Sequence, residues 1–357
     1  HPVTEMVTGL DLVEWQLRVA AGEALPLSQA QVAMQGHAIE VRLYTEDPYA
    51  GFAPQTGTVL HWRPELVLQP GIRIDHGLAE GSVIGPYYDA MVAKLIAHGR
   101  DRGDAIRRLR AALEAAPLLG LRHNARFLRD LLDHAAFRRG EMTTQLLDDW
   151  LTEDAPLMQR PVASDEDWCL AAAAFALRDG AVQRPDSVAA YDLPLMLDGQ
   201  RRTPRVRLQR DGSLQVGLDG TTHSVRLLGA PDRGLHYEWD GVSRRSVVRW
   251  QGGALHLARE AHAFVFEEPS AVPQSDRRAD ARRALAPVAG VVAKLGVEPG
   301  DTVAAGQPLV CVEAMKMEMW VAAGAAGRVV RVAVQTGQQV ASGALLVELE
   351  LAAAAAE

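Results

Sequence analysis

Apolar and polar positions change rhythm several times along the chain, and each rhythm predicts a different element. Between residues 8 and 22, Val13, Leu17, Ala20 and Ala21 recur at helical spacing, which predicts a helix with one inward face. Thr8-Gly9-Leu10-Asp11 reads as its capping box and Gly22 as its stop. Ile39, Val41 and Leu43 then alternate with Glu40, Arg42 and Tyr44, the period of a strand. Helical spacing returns at Ile106, Leu109 and Leu113, with Asp104 as candidate cap and Pro117 as terminator. Asn124 opens a further helix with Phe127, Leu128, Leu131, Leu132 and Ala135 on one face. Residues 1–152 therefore predict one mixed α and β domain.

A polar, proline-punctuated connector runs from Thr152 to Ala163, and Ser164-Asp165-Glu166-Asp167 then starts an alanine-rich helix reaching Arg178. Short alternating segments follow: Val206/Leu208, Leu214/Val216/Leu218, Val225/Leu227, Leu235/Tyr237/Trp239, Leu255/Leu257 and Phe264/Phe266. Asp-Gly pairs at 198–199, 211–212, 219–220 and 240–241, and Gly252-Gly253, separate them. Such pairs tolerate the positive φ of type I′ turns, so residues 160–268 predict a helix followed by antiparallel hairpins curled into a small barrel or sandwich. No catalytic cluster is visible in this region. Residues 269–284 are rich in Pro, Ser, Ala and charge without apolar periodicity. They predict an extended linker reaching on the order of 50 Å; a tether and a passive spacer fit the composition equally.

Residues 285–351 repeat themselves. Gly290, Val292, Gly300, Val303, Gly306, Leu309, Val310 and Glu313 recur as Gly327, Val329, Gly337, Val340, Gly343, Leu346, Val347 and Glu350, every pair 37 residues apart. Two copies of one strand–turn–strand unit predict a pseudo-twofold flattened β-barrel. The junction between the copies falls at Met315-Lys316, which places Lys316 on a hairpin tip.

Composition narrows the function classes. The chain has 357 residues, with 48% hydrophobic and 23% charged, enough for two or three ordinary globular domains. A formal net charge of -8 argues against a nucleic-acid partner. Two cysteines, Cys169 and Cys311, offer no CxxC or Cys/His ligand spacing, so they read as reduced thiols, with no metal site expected. Apolar runs such as Leu170–Leu177 are too short to cross a bilayer, and no signal peptide is visible. The start at His1 without methionine reads as that of a fragment.

The chemistry concentrates in Glu313-Ala314-Met315-Lys316-Met317-Glu318. A lysine on a tight turn between two methionines, held out by a rigid barrel, suits enzymatic modification. Acylating its amine removes the charge and lengthens the arm. An ordinary solvated lysine is the alternative, and the repeat centred on the motif argues against it.

Residues 285–351 resemble a biotinyl domain of the biotinyl/lipoyl superfamily, on the strength of Ala314-Met315-Lys316-Met317. The resemblance implies biotin attached to Lys316, with Met315 and Met317 flanking the cofactor. Ala286-Pro287-Val288 departs from the usual Ala-Pro-Met; Val288 is apolar and should pack similarly. Residues 1–152 resemble the C-terminal domain of biotin carboxylase, an ATP-grasp enzyme. That match rests on His1-Pro2-Val3-Thr4-Glu5, Gly36-His37-Ala38, Glu40-Val41-Arg42, Glu46-Asp47-Pro48 and Tyr88-Asp89-Ala90-Met91-Val92-Ala93-Lys94-Leu95-Ile96. It implies that Arg42 is catalytic, sitting beside bicarbonate and the ureido ring, where a fixed guanidinium stabilises the ureido anion. Without it, Arg42 reads as a surface ion-pair partner. Glu5, His37 and Asp89 are expected to hold the domain together. Gly120-Leu121-Arg122-His123-Asn124 departs from Gly-x-x-Thr-Asn; Asn124 is expected to cap its helix and His123 to be tolerated.

Taken together, the fold class expected is multidomain α+β: biotin carboxylase C-terminal domain (1–152), carboxylase–carboxyltransferase interaction domain (160–268), linker (269–284) and biotinyl domain (285–351). This order resembles α subunits of acyl-CoA carboxylases acting on propionyl-, 3-methylcrotonyl- or geranyl-CoA. Trp62-Arg63-Pro64 and Ile72-Arg73-Ile74-Asp75-His76-Gly77 lean toward the last two. The resemblance implies ATP, Mg2+ and bicarbonate as co-reactants of the full-length subunit, carboxylation of biotin at its N1, and transfer in a separate β carboxyltransferase subunit. It also implies a biotin protein ligase as partner, homo-association through the biotin carboxylase domain, no membrane, and a cytoplasmic or, in eukaryotes, mitochondrial matrix location. In the family, the catalytic glutamate and the ATP lid precede His1, so this segment is expected to be inactive alone. A stand-alone biotin carrier or scaffold, or the carrier arm of another biotin enzyme, is the rival reading.

Overall fold

Ile39, Val41 and Leu43 are buried along the strand His37–Tyr44 while Arg42 points to solvent, the division that a two-residue period dictates. In this computed structural model, residues 1–152, 155–178, 190–229, 234–269 and 280–351 are described. The chain divides into two units. The first comprises His1–Tyr44, Val59–Ser82 and Val92–Pro269; the second comprises Thr45–Thr58, Val83–Met91 and Ser270–Glu357.

In the first unit, the strand Met91–Gly99 lies between His37–Tyr44 and Ile72–His76 in a three-stranded sheet. The helix Arg102–Ala115 packs on that sheet through Ile106, Leu109 and Leu113, all buried. Two helix starts differ from the sequence expectation. Asp101, not Asp104, caps Arg102–Ala115 by accepting from the Asp104 N–H at 2.8 Å. Asp104 instead turns its buried carboxylate to the Arg100 N–H, Arg107 and Arg108, and these partners hold its pKa below the usual aspartate value. Likewise Asp11, not Thr8, caps Leu12–Ala20, because Thr8 ends the preceding helix Pro2–Thr8 and donates back to the Thr4 carbonyl. The expected apolar face of Leu12–Ala20 is not a core face: Val13 and Leu17 are 61% and 68% exposed. Ala135 also leaves its expected helix, which ends at Asp133.

The rest of this unit is one long sheet wrapped around a helix. Eight antiparallel strands follow in reverse chain order, from His262–Phe266 back to Tyr191–Asp192. The next segment, Leu195–Leu197, reaches the far edge, where Met196 and Glu267 exchange both backbone hydrogen bonds at 2.7 and 3.0 Å. Inside lies the helix Asp165–Leu177, buried on every side from Trp168 to Phe175. Such a helix needs an apolar surround, and Val206, Val216, Val225, Leu255 and Phe266 supply it. The turns follow their residues: Asp198, Asp219 and Asp240 take φ of 46–47° before glycine, as type I′ requires. Asp211 does not; its carboxylate accepts from the Ser213 N–H and hydroxyl. Glu260-Ala261 makes a positive-φ turn without glycine, and the mostly polar strand Val242–Gln251 carries no apolar alternation.

The helix is fixed at its start by a capping box, Ser164 with Asp167, and then by a buried polar knot. Glu166 accepts from the Tyr237 hydroxyl at 2.7 Å and from Arg244 at 2.8 Å, and forms an ion pair with Arg259 at 2.7 Å. Arg259 also meets Asp167 at 3.0 Å.

In the second unit the repeat becomes geometry. One four-stranded sheet has the order Arg283–Leu285, Leu345–Leu351, Gly327–Val332, Thr302–Val303; the other has Met317–Ala322, Pro308–Ala314, Gly290–Leu295, Gln339–Val340. Equivalent positions make equivalent bonds: Gly300 N–H to the Val329 carbonyl and Gly337 N–H to Val292, both at 2.8 Å. Register shifts also recur in step, at Val292/Lys294 and Val329/Arg331. Val292, Val329, Leu309, Leu346, Val310 and Val347 meet in the core, and Val288 is buried too. Gly290 and Gly327 are required for close approach, since a Cβ on either would sit 2.4 Å from the carbonyl oxygen of Glu313 or Glu350. Within the same unit, Val83–Ile84 pairs with Gly57–Thr58, and the Thr45 N–H donates to the Ala90 carbonyl at 2.9 Å. The expected linker 269–284 falls largely on residues 270–279, outside the described residues.

Candidate functional site

Strands Pro308–Ala314 and Met317–Ala322 pair from Pro308↔Ala322 to Ala314↔Met317, leaving Met315 and Lys316 as a two-residue loop. Their φ angles are 51° and 65°, the type I′ geometry that suits the twist of a hairpin. Neither residue is glycine, and each left-handed residue costs about 1 kcal/mol or more. The surrounding barrel enforces the turn. Its base is braced by Lys294, which donates to both carboxylate oxygens of Glu318 at 2.8 and 3.0 Å; the Glu318 carboxylate raises the lysine's pKa.

Lys316 points outward, with 76% of its side chain exposed and its Nζ 4.0 Å from Asp89 Oδ2. Met315 is 5% exposed, and its N–H donates to the Pro86 carbonyl at 3.0 Å. Met317 is half-buried. An exposed primary amine on a rigid tip fits biotin: amide formation needs only an approachable nitrogen and a turn that a ligase can recognise. The segment 83–91 beside this tip has no signal in the repeat, because its place depends on tertiary packing.

Arg42 lies in the first unit, on the solvent face of its strand. Its side chain is 57% exposed and its Nε is 3.4 Å from Glu40 Oε1. Lys94 Nζ approaches the same carboxylate at 3.8 Å. Hydrogen bonding to Tyr44, then to Glu40, raises the Arg42 pKa, so it stays charged. A partly open guanidinium beside an ammonium group can receive an anion. Lys316 and its flanking methionines belong to the other unit.

Four further side chains of the first unit, those of Glu5, His37, Asn124 and His123, are engaged in contacts within it. Glu5 accepts from Arg73 at 2.6 Å and from the Leu12 N–H at 3.2 Å, which lowers its pKa. His37 meets Arg102 at 3.2 Å. Asn124 does not cap its helix through its side chain. Its amide brackets the strand, accepting from the Tyr44 N–H at 3.0 Å and donating to the Arg42 carbonyl at 3.2 Å. His123 takes the capping role: Nδ1 accepts from the Ala125 N–H at 3.3 Å and Nε2 faces the Leu118 carbonyl at 2.8 Å. Burial lowers its pKa to about 4, consistent with a neutral ring donating from Nε2. Among the described residues there is no cluster of three or more His, Cys, Asp or Glu able to hold a metal ion, and no helix long and apolar enough to cross a membrane.

Family models match three stretches. Residues 40–149 match the biotin carboxylase C-terminal domain and residues 285–349 the biotin-requiring enzyme domain. Residues 1–28 match the ATP binding domain of carbamoyl-phosphate synthase L chain. The mitochondrial propionyl-CoA carboxylase alpha chain of Rattus norvegicus is 33% identical over 98% of this chain and 50% of its own length. The mitochondrial methylcrotonoyl-CoA carboxylase subunit alpha of Mus musculus is 33% identical over 98% of this chain and 52% of its own. The chain thus spans about half the length of these relatives. Among solved structures, the biotin carboxylase domain of a thermophilic 2-oxoglutarate carboxylase bound to bicarbonate is 38% identical, covering 45% of this chain and 35% of that one at a TM-score of 0.42. The chain therefore joins a biotin carboxylase C-terminal domain to a biotin-carrier domain, and its homologues are the alpha subunits of propionyl-CoA and methylcrotonoyl-CoA carboxylases.

Proposed function

We propose that this chain is the carrier-bearing part of a biotin-dependent acyl-CoA carboxylase α subunit, with biotin joined to Lys316. The observation that carries the reading is the exposed lysine on a strained two-residue tip at the centre of a 37-residue repeat. When bound, biotin carries the carboxyl group between two active sites. Met315 and Met317 hold the turn that presents the lysine, and Lys294–Glu318 keeps the hairpin base in place. Arg42 binds and orients the anionic reactant at the carboxylation site, with Glu40 and Lys94 fixing its position. We assign residues 160–268 to docking a carboxyltransferase β subunit, and residues 269–284 to the tether of the carrier. A biotin protein ligase modifies Lys316, the biotin carboxylase part associates with its own copy, and the protein acts in the cytoplasm or, in a eukaryote, the mitochondrial matrix. ATP, Mg2+ and bicarbonate are the co-reactants of the whole subunit. The acyl-CoA is drawn from the propionyl, 3-methylcrotonyl and geranyl esters.

The test is streptavidin capture of the biotinylated protein from its own cells, followed by assay with labelled bicarbonate, ATP and each acyl-CoA in turn. Retention of a carboxyltransferase with label in one acyl-CoA supports the proposal. Captured protein that carries biotin yet retains no carboxyltransferase and labels no acyl-CoA would favour a stand-alone carrier.

A further inference from the structure

In a two-residue hairpin loop, the ladder ends at the pair flanking the loop, here Ala314 with Met317. The N–H groups of Met315 and Lys316 then have no partner in the hairpin itself. Yet the Met315 N–H is bonded at 3.0 Å to the Pro86 carbonyl. Burial agrees: Ala314 and Met315 are 3% and 5% exposed, whereas the Lys316 side chain is open. A second contact lies across the same segment, where Gln339 Nε2 donates to the Tyr87 hydroxyl at 3.4 Å. A cleft of about 320 Å³ lies between Pro86, Tyr87 and the Gly290–Val291, Glu313 and Gln339 wall of the barrel.

The segment is anchored on both sides of these contacts. Val83–Ile84 pairs with Gly57–Thr58, and the Ala90 carbonyl accepts from both the N–H and the hydroxyl of Thr45, at 2.9 and 3.3 Å. Between the anchors, Asp89 is aimed by accepting from the Met91 N–H at 2.9 Å, and its carboxylate faces the Lys316 ammonium at 4.0 Å.

We propose that residues 83–91 form a seat for the carrier tip of the same chain, gripping the Met315 N–H with the Pro86 carbonyl and favouring the unmodified Lys316 through Asp89. The inference rests on the carrier reading above. Amide formation at Nζ removes the positive charge, so biotin on Lys316 abolishes the attraction to Asp89 and leaves the backbone grip and the Gln339–Tyr87 contact. Modification therefore loosens the seat without dismantling it, and releases the loaded tip more readily than the empty one. An exposed pair of this kind shifts such an equilibrium by about 1.5- to fivefold.

Residue-level hydrogen exchange on the full chain tests this, before and after biotinylation, with Tyr87→Ala and Asp89→Lys variants. Corrected for intrinsic rates, the Met315 amide should exchange about tenfold more slowly than the Lys316 amide in the unmodified protein. Biotinylation and Asp89→Lys should each speed Met315 exchange by about 1.5- to fivefold, with Val310 and Val312 unchanged as a control for folding. Tyr87→Ala should act in the same direction. Met315 exchanging as fast as Lys316, or indifferent to both variants, would overturn the seat; protection that rises with protein concentration would overturn its assignment to the same chain. A mass showing no biotin on Lys316 beside a protected Met315 would instead remove the carrier reading and leave the contact standing.

Discussion

Alanine at Gly290 and at Gly327 puts the repeat itself under test. A Cβ at 327 would lie 2.4 Å from the Glu350 carbonyl oxygen, 3.1 Å from its carbon and 3.2 Å from Leu351 Cα. At 290 the oxygen of Glu313 is again at 2.4 Å, with Val312 Cγ1 at 2.9 Å and the Glu313 carbon at 3.1 Å. The closest atom is backbone in both cases, so no rotamer change relieves the clash. The facing strand must retreat by close to 1 Å to restore an ordinary C···O contact, roughly 3.3 Å. Overpacking of that kind costs about 1–3 kcal/mol. For a domain of this size each kcal/mol moves Tm by about 4–8 °C, so a fall on the order of 10 °C is expected. Calorimetry of the full chain, following the transition of the carrier, measures it, and the two variants should fall by similar amounts. Their effects on biotinylation should differ, measured well below either transition. Gly290 abuts Glu313, at the base of the tip, so its variant slows the ligase; Gly327 abuts Glu350 and leaves the rate near normal. A neutral outcome at either position, within about 0.5 kcal/mol, would refute the close-approach argument.

Three further outcomes follow from particular contacts. Glu166→Ala leaves the buried Tyr237 hydroxyl without its acceptor and Arg259 with Asp167 at 3.0 Å and the more distant Glu260 at 4.0 Å, which should destabilise the curled sheet by about 3–4 kcal/mol in urea unfolding. Arg205→Ala loses only an exposed pair with Asp192 and should cost less than about 0.5 kcal/mol; equal losses would contradict the assignment. His123 titrates at about 4 in the fold because burial opposes its charge. Its contribution is thus complete above the unfolded pKa near 6.5 and is lost as pH falls toward 4, on the order of 3 kcal/mol. His123→Gln should flatten the pH dependence of the urea midpoint across that window. In the whole subunit, Arg42→Lys should slow biotin carboxylation by at least about tenfold, because an ammonium cannot reproduce the guanidinium fork, and leave biotinylation of Lys316 untouched.

The sequence exposed those parts of the fold where backbone geometry restricts the residue type. Gly290/Gly327 and Gly300/Gly337 recur because close approach and positive φ exclude other side chains, and so the repeat and the tip are visible in the sequence. Asp-Gly turns and the unbroken apolar character of Trp168–Phe175 were legible for similar reasons. Helix caps were less so: Asp11 stands within three residues of Thr8, and Asp101 within three of Asp104, and only the local path of the chain decides which accepts the N–H. Asn124 sits at a helix start, yet its amide is drawn to the strand edge at Arg42 and Tyr44. Exposed Val13 and Leu17 have correct helical spacing, and spacing alone does not tell a core face from an open one. The meeting of Met315 with Pro86 depends on tertiary packing, which no local pattern encodes.

The central claim is that Lys316 is the attachment point, and intact mass spectrometry after co-expression with a biotin protein ligase tests it most directly. The wild-type chain should gain the mass of one biotinyl group, located by peptide mapping to Lys316, and Lys316→Arg should gain none and fail to bind streptavidin. An unmodified wild-type chain, or a Lys316→Arg chain that still binds streptavidin, would contradict the account.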